Sequence, residues 1–204
     1  SRPLSNVVIC PMTNAGMRVL FTGLGSIGRR HLRLLREREE AFEVHAYRSG
    51  ETDGDAPVGV LEHDSLDDAL AADPAIAFIT NPTALHVETA VQCARHGCDL
   101  FVEKPLSDTL AGISSLEALV EEHELITYVG CNLRFTPVLS AVREALVNDR
   151  IGDVLSFRAT AGSYLPDWRP QQDYRESYSA SPDLGGGVVL DLIHELDYVY
   201  WLFG

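Results

Sequence analysis

Positive charge is scarce in this chain: 16 Lys and Arg stand against 30 Asp and Glu, a net charge of −14 over 204 residues. A surface of that sign repels nucleic-acid phosphates and anionic membranes, so neither is expected as a partner. Cysteine is scarce too. The four cysteines (Cys10, Cys93, Cys98, Cys131) form no CxxC pair, and they read as reduced thiols of a cytoplasmic protein rather than a disulfide framework or a zinc site. No apolar run approaches the length of a membrane span. The one apolar patch near the start, Val7-Val8-Ile9-Cys10, is short for a signal-peptide core and no A-x-A site follows it. Residues 1–16 are therefore expected to be a loose tail, with Met17 as the functional start. What remains is 46% hydrophobic and 23% charged, which excludes disordered and collagenous classes and suits one domain or two small ones.

From Met17 onward, short apolar runs alternate with amphipathic segments. Strands are expected at 17–22, 42–47, 58–61, 75–80, 100–102 and 126–130. Helices are expected at 29–38, at 65–72 behind a Ser65-x-x-Asp68 capping pattern, at 84–96 closed by Gly97, and from Ser107 to about His123. Such alternation builds a parallel sheet with helices on both faces. Residues 49–57 read as a loop. After Gly130 the pattern changes: a helix at 136–148, a strand at 154–160, a long aromatic and polar loop at 164–184 and a last helix at 188–203. The expected division is a nucleotide-binding domain at 17–130 and a second domain at 131–204.

Gly23-Leu24-Gly25-Ser26-Ile27-Gly28 lies between a strand and a helix, the context that gives a GxGxxG its meaning. Gly23 permits the tight turn, Gly25 admits a pyrophosphate to the backbone, and Gly28 lets helix and strand pack closely. The helix start, with Ser26 and Ile27, then favours an anion through its free N–H groups and dipole. An acid at the end of the second strand would hold the ribose 2′-hydroxyl of NAD. Here that place reads Tyr47-Arg48-Ser49, with no carboxylate before Glu51. Arg48 suits a 2′-phosphate, so the reading leans to NADP over NAD.

Four features occur together: the GLGSIG turn; Thr80-Asn81-Pro82 with His86; Glu103-Lys104-Pro105; and Gly185-Gly186-Gly187 followed by Asp191 and His194. With them the chain resembles the Gfo/Idh/MocA oxidoreductases, the glucose–fructose oxidoreductase and inositol dehydrogenase group. The resemblance implies a Rossmann doubly wound parallel sheet, then an α/β domain of the dihydrodipicolinate-reductase-like type. It further implies a hydride moved between NAD or NADP and a sugar, polyol or related substrate. Thr80, Asn81, His86 and Glu103 join Arg48 and the glycine turn as cofactor-side candidates, and no metal is implied.

Lys104 matches the family's active-site lysine. It follows a parallel strand at its C-terminal end, where such sheets bind ligands, and its charge would be felt strongly by a reacting hydroxyl in a dry cleft. Asp191 and His194, three apart on one helix, are expected to share a face. His194 is the better general base near neutrality, and Asp191 would orient a reacting group or bind a substrate hydroxyl. The family histidine falls four residues after the aspartate, so Glu195 competes with His194 for that role. Residues 164–178 (YLPDWRPQQDYRESY) are rich in groups that stack on and hydrogen-bond polar rings. They resemble a segment of family members from surface-polysaccharide and nonulosonic-acid sugar pathways. Trp168, Arg169, Asp173, Tyr174 and Arg175, with Asn132 and Arg134, are the substrate-side candidates.

Family members continue beyond the last helix found here, so the second domain is expected to be incomplete and the full-length protein a homo-oligomer. Two functions follow: an enzyme acting on a sugar-like substrate, or a non-catalytic dinucleotide-binding remnant or subunit. Retained Lys104, Asp191 and His194 favour the enzyme.

Overall fold

The computed structural model describes residues 16–38, 41–48, 57–168, 170–171 and 173–204. The expected tail up to residue 15, most of the 49–57 loop and Arg169 lie outside the described residues. The first strand, β1 (Met17–Thr22), is followed by α1 (Ser26–Arg36), β2 (Phe42–Tyr47) and β3 (Val60–His63). Next come α2 (Leu66–Ala71), β4 (Ile76–Ile79), α3 (His86–Arg95), β5 (Asp99–Val102), α4 (Ile113–Glu122) and β6 (Thr127–Val129). The six strands form one sheet in the order β3-β2-β1-β4-β5-β6, and every neighbouring pair is parallel. This is the strand order of a dinucleotide-binding sheet, with its direction reversing between β1 and β4.

The core explains the layering. Successive strand residues point to opposite faces. Leu20 of β1 joins Ile79, Leu100 and Val102 in a cluster under α2, α3 and α4, with Leu70, Cys93 and Leu116 from those helices. Val19 and Phe21 point the other way and pack with Val44, Ala46 and Leu32 of α1. Phe21 is fully buried and stacks on Phe78. Truncating it to alanine would cost about 3–5 kcal/mol.

Beyond β6 a 3-10 turn at Asn132–Phe135 leads into α5 (Pro137–Val147). A series of short turns then reaches α6 (Val188–Asp191) and α7 (Ile193–Phe203). Among the described residues no helix is long and apolar enough to cross a membrane.

Three expectations are corrected. The strand expected at 154–160 does not form. Alternation marks a surface that would suit a sheet, but pairing needs a neighbouring strand, and residues 154–160 are exposed and unpaired, Leu155 94% so. The helix expected from Ser107 starts at Ile113 instead. Ser107 Oγ accepts the Thr109 N–H at 3.2 Å, a local side-chain bond that competes with the helix. The last helix is not continuous: it breaks at Leu192, where ψ swings to 22°.

Candidate active site

The glycine turn sits at the C-terminal edge of β1. The Gly23 N–H donates to the Tyr47 carbonyl at 2.8 Å, and the Thr80 hydroxyl donates to the Gly23 carbonyl at 2.6 Å. A Cβ on Gly28 would collide with that same carbonyl, so only glycine lets α1 lie so close. A Cβ on Gly25 would meet nothing within 4 Å. Gly25 is the N-cap of α1, whose first turn has neither a capping side chain nor an acid. The first turn thus has no side-chain cap and the space beside Gly25 is open, which fits a phosphate group. Beside the turn, the Asn81 amide donates to Thr89 Oγ1 at 2.9 Å, while its Oδ1 is buried with no partner among the described residues. A polar atom left so is one that a ligand can satisfy.

Two cofactor-side candidates have other roles. Thr80 is buried and holds the turn shut. His86 is only 2% exposed, with Nδ1 2.8 Å from the Pro105 carbonyl and Nε2 2.9 Å from the Asn81 carbonyl. Its ring therefore fastens the loop after β4 to the loop after β5 and presents nothing to a ligand. Burial pulls its pKa below the ordinary histidine value, the two carbonyls and Glu103 acting against that.

Glu103 directly follows β5 in a tight seat. Its Oε1 lies 2.6 Å from His31 Nε2 on α1, and its Oε2 accepts the Lys104 N–H at 3.1 Å. A Cβ on Gly130 would press on the carboxylate at 3.2 Å. His31 in turn rests edge-on against Phe101. His31 and the carboxylate it holds are 72 residues apart in the chain.

Lys104 follows, in a cis Lys104–Pro105 peptide. Its ammonium donates to the Asp191 carbonyl at 2.7 Å. The break at Leu192 makes this possible. In a continuous helix the Asp191 carbonyl would accept the Glu195 N–H, but that N–H turns to Leu192 instead, at 2.9 Å. The break also leaves Asp191 at the end of α6 and His194 on α7, so the two do not share one unbroken helix as expected. The Asp191 carboxylate meets the buried Ser179 hydroxyl, Oδ1 to Oγ 3.4 Å. The His194 Nε2 lies 3.4 Å from Glu195 Oε1. Burial and the nearby Lys104 ammonium hold His194 below the ordinary histidine pKa.

The substrate-side candidates divide. Leu165, Trp168, Tyr174, Ser177 and Ser179 line a small hollow, and Ser179 joins it to Asp191. The loop returns to the sheet edge through Gly185, where a Cβ would press on Thr83 at 2.8 Å. Trp168 Nε1–H donates to Ser163 Oγ at 2.6 Å. Asp173 and Arg175 face solvent and fork onto each other, which holds the Asp173 carboxyl below its usual range. Arg134 does not reach outward. Its guanidinium grips the Asp197 carboxylate of α7 in a two-point fork, which raises the arginine's pKa and lowers the aspartate's. The Cys131 thiol sits against the same carboxylate; burial first, then Asp197, pushes it up to about 11.

Comparison with known proteins places this geometry. Residues 17–131 match the model described as the oxidoreductase family with an NAD-binding Rossmann fold, and residues 139–204 match the GFO/IDH/MocA C-terminal domain. The chain belongs to the Gfo/Idh/MocA oxidoreductase family. It is 28% identical over 196 residues to the myo-inositol 2-dehydrogenase of Thermotoga maritima, covering 92% of this chain and 55% of that protein. It is 29% identical over 131 residues to the levoglucosan dehydrogenase of Pseudarthrobacter phenanthrenivorans, covering 63% of this chain and 33% of that one. The chain thus spans a third to about half of the length of these Gfo/Idh/MocA relatives. Its fold also matches the WlbA dehydrogenase of Bordetella pertussis, solved with NADH and UDP-GlcNAcA, at a TM-score of 0.73 and 20% identity over 95% of this chain and 57% of that one.

Proposed function

We propose that this chain moves a hydride between a nicotinamide dinucleotide and a hydroxyl-bearing carbon of a sugar, polyol or sugar derivative. The observation that carries the reading is the Lys104 ammonium at the C-terminal end of β5, 2.7 Å from the Asp191 carbonyl and close enough to His194 to depress its pKa. The cofactor, when bound, supplies a carbon that takes or gives the hydride. The open side of Gly25 and the helix start at Ser26 and Ile27 would hold its phosphates, and the unpartnered Asn81 Oδ1 would accept from it.

In the oxidation direction Lys104 donates a hydrogen bond to the substrate oxygen as its C–O bond becomes a carbonyl. His194, neutral near pH 7, takes the hydroxyl proton. The carbon's hydrogen leaves with its electron pair, so one hydride and one proton depart and the alcohol becomes a ketone. Asp191 accepts from a neighbouring hydroxyl, with Ser179 fixing its carboxylate. The aromatic hollow beside Ser179 offers ring faces on which a sugar stacks. The segment forming it favours derivatised sugars of the surface-polysaccharide and nonulosonic-acid kind.

A panel of polyols, hexoses and nucleotide-linked sugars, each with NAD or NADP, tests the reading through the appearance of reduced nicotinamide. Turnover that is lost on Lys104→Met supports it; turnover untouched by that change sinks it. A second reading, a catalytically silent dinucleotide-binding unit, is favoured by one observation, the unpaired segment at 154–160. It expects tight cofactor binding with no turnover on any member of the panel.

A further inference from the structure

The adenosine end of the proposed cofactor site holds a charge pair that the β2 sequence does not disclose. Arg48 follows directly on β2, whose last residue, Tyr47, accepts the Gly23 N–H at 2.8 Å. Arg48 therefore starts beside the glycine turn, where sheets of this order meet the adenosine ribose. β3 runs parallel beside β2 with Ala46 opposite Glu62 and Tyr47 opposite His63. That register carries the Glu62 carboxylate to Arg48, and its Oε1 pairs with Arg48 Nε. The arginine side chain is 12% exposed and the glutamate 36%, so the pair is sheltered at one end and open to solvent at the other.

We infer that Glu62 is a specificity-determining residue of this site, supplying from β3 the carboxylate that β2 lacks and setting it against a 2′-phosphate. The inference rests on the dinucleotide reading above. The physics is a competition for Arg48. A ribose 2′-hydroxyl can donate to a carboxylate and leave the Arg48–Glu62 pair intact. A 2′-phosphate cannot donate once ionised. It must draw the guanidinium away from Glu62 or lie beside a like charge, and an arginine already engaged by a carboxylate offers it less. The lean to NADP drawn from Arg48 by itself is weakened to that extent. Solvent at the Glu62 end screens the effect, so it alters preference without making it absolute.

Direct binding tests this without any substrate. The full chain is titrated with NADH and with NADPH, following nicotinamide fluorescence, and the ratio of the two dissociation constants is compared across variants. Glu62→Gln is expected to shift that ratio about tenfold toward NADPH, the equivalent of one 1.4 kcal/mol step. Adding Arg48→Ala to Glu62→Gln should remove the gain, since no guanidinium is then left for the phosphate. Glu62→Ser, smaller and also neutral, should shift the ratio the same way. An unchanged ratio in both Glu62 variants, with NADH still bound, overturns the assignment of Glu62 while leaving the dinucleotide site standing. A wild-type chain that binds neither cofactor overturns the dinucleotide reading itself, and Glu62's role with it.

Discussion

The Lys104 ammonium and the Asp191 backbone carbonyl stand 2.7 Å apart, the one at the end of β5 and the other on the last turn of α6. Eighty-seven residues of chain separate them. The contact exists because the helical path stops at Leu192, releasing a carbonyl that a regular helix would consume. It brings the lysine, Asp191 and His194 to one place at the edge of the sheet.

Lys104→Met is expected to abolish turnover while leaving NADH affinity within a few-fold of wild type. In the proposed function the turn around Gly25 would hold the phosphates and Lys104 would act at the other end. Parallel fluorescence titration and activity assays separate the two effects. A loss of both together would mean that Lys104 serves cofactor binding instead.

His194 should set the acidic limb of the oxidation rate. Its folded pKa lies below the ordinary 6.5, through burial first and the Lys104 charge second. The base works when neutral, so the midpoint of the acidic limb should lie below pH 6.5. His194→Ala should cost on the order of 10²–10⁴ in rate. In Lys104→Met the imidazole should titrate at a higher pH, visible by NMR, because a repelling charge has gone. Glu195→Gln is the companion variant: if that change is the damaging one and His194→Ala is nearly silent, the base has been misassigned.

Arg134→Met should weaken the fold near neutrality by on the order of 1–2 kcal/mol, a two-point charged hydrogen bond discounted for partial exposure. The Asp197 carboxyl is held below its unfolded value, mainly by Arg134. Such a group adds stability above the unfolded pKa of about 3.9 and loses it as pH falls through the folded pKa. Thermal melts across acid pH should therefore show wild type and variant converging at the acid end. A constant gap at all pH values would mean that the fork contributes packing only.

The sheet and the turn were legible because their residues are dictated by backbone needs. Gly28 must lack a Cβ, and β1 must alternate Val19 and Phe21 against Leu20. The place of Lys104 just beyond a strand end was legible as well. Pairings across the sheet were not. Nothing local in the sequence says that Glu62 meets Arg48, that His31 seats Glu103, or that Arg134 is taken by Asp197, because parallel register and tertiary packing decide them. The break at Leu192 was hidden for another reason: Val188 to Phe203 has no Gly or Pro to mark a stop, and the contact with Lys104 compensates the lost helical bond. The 154–160 segment erred in the opposite sense, carrying a strand's alternation without a neighbour to pair with.

Whether a nicotinamide dinucleotide sits at the Gly25 turn is decided by NADH titration of wild type beside Gly25→Val. The position has an ordinary backbone (φ −66°) and open space where a side chain would grow. The variant should therefore melt within a few degrees of wild type, in contrast to Gly28→Ala, which should be clearly destabilised. Wild type is predicted to bind NADH and Gly25→Val to lose at least about tenfold in affinity, a loss of roughly 1.4 kcal/mol. A folded Gly25→Val chain that binds NADH as tightly as wild type would mean that no dinucleotide is seated at this turn.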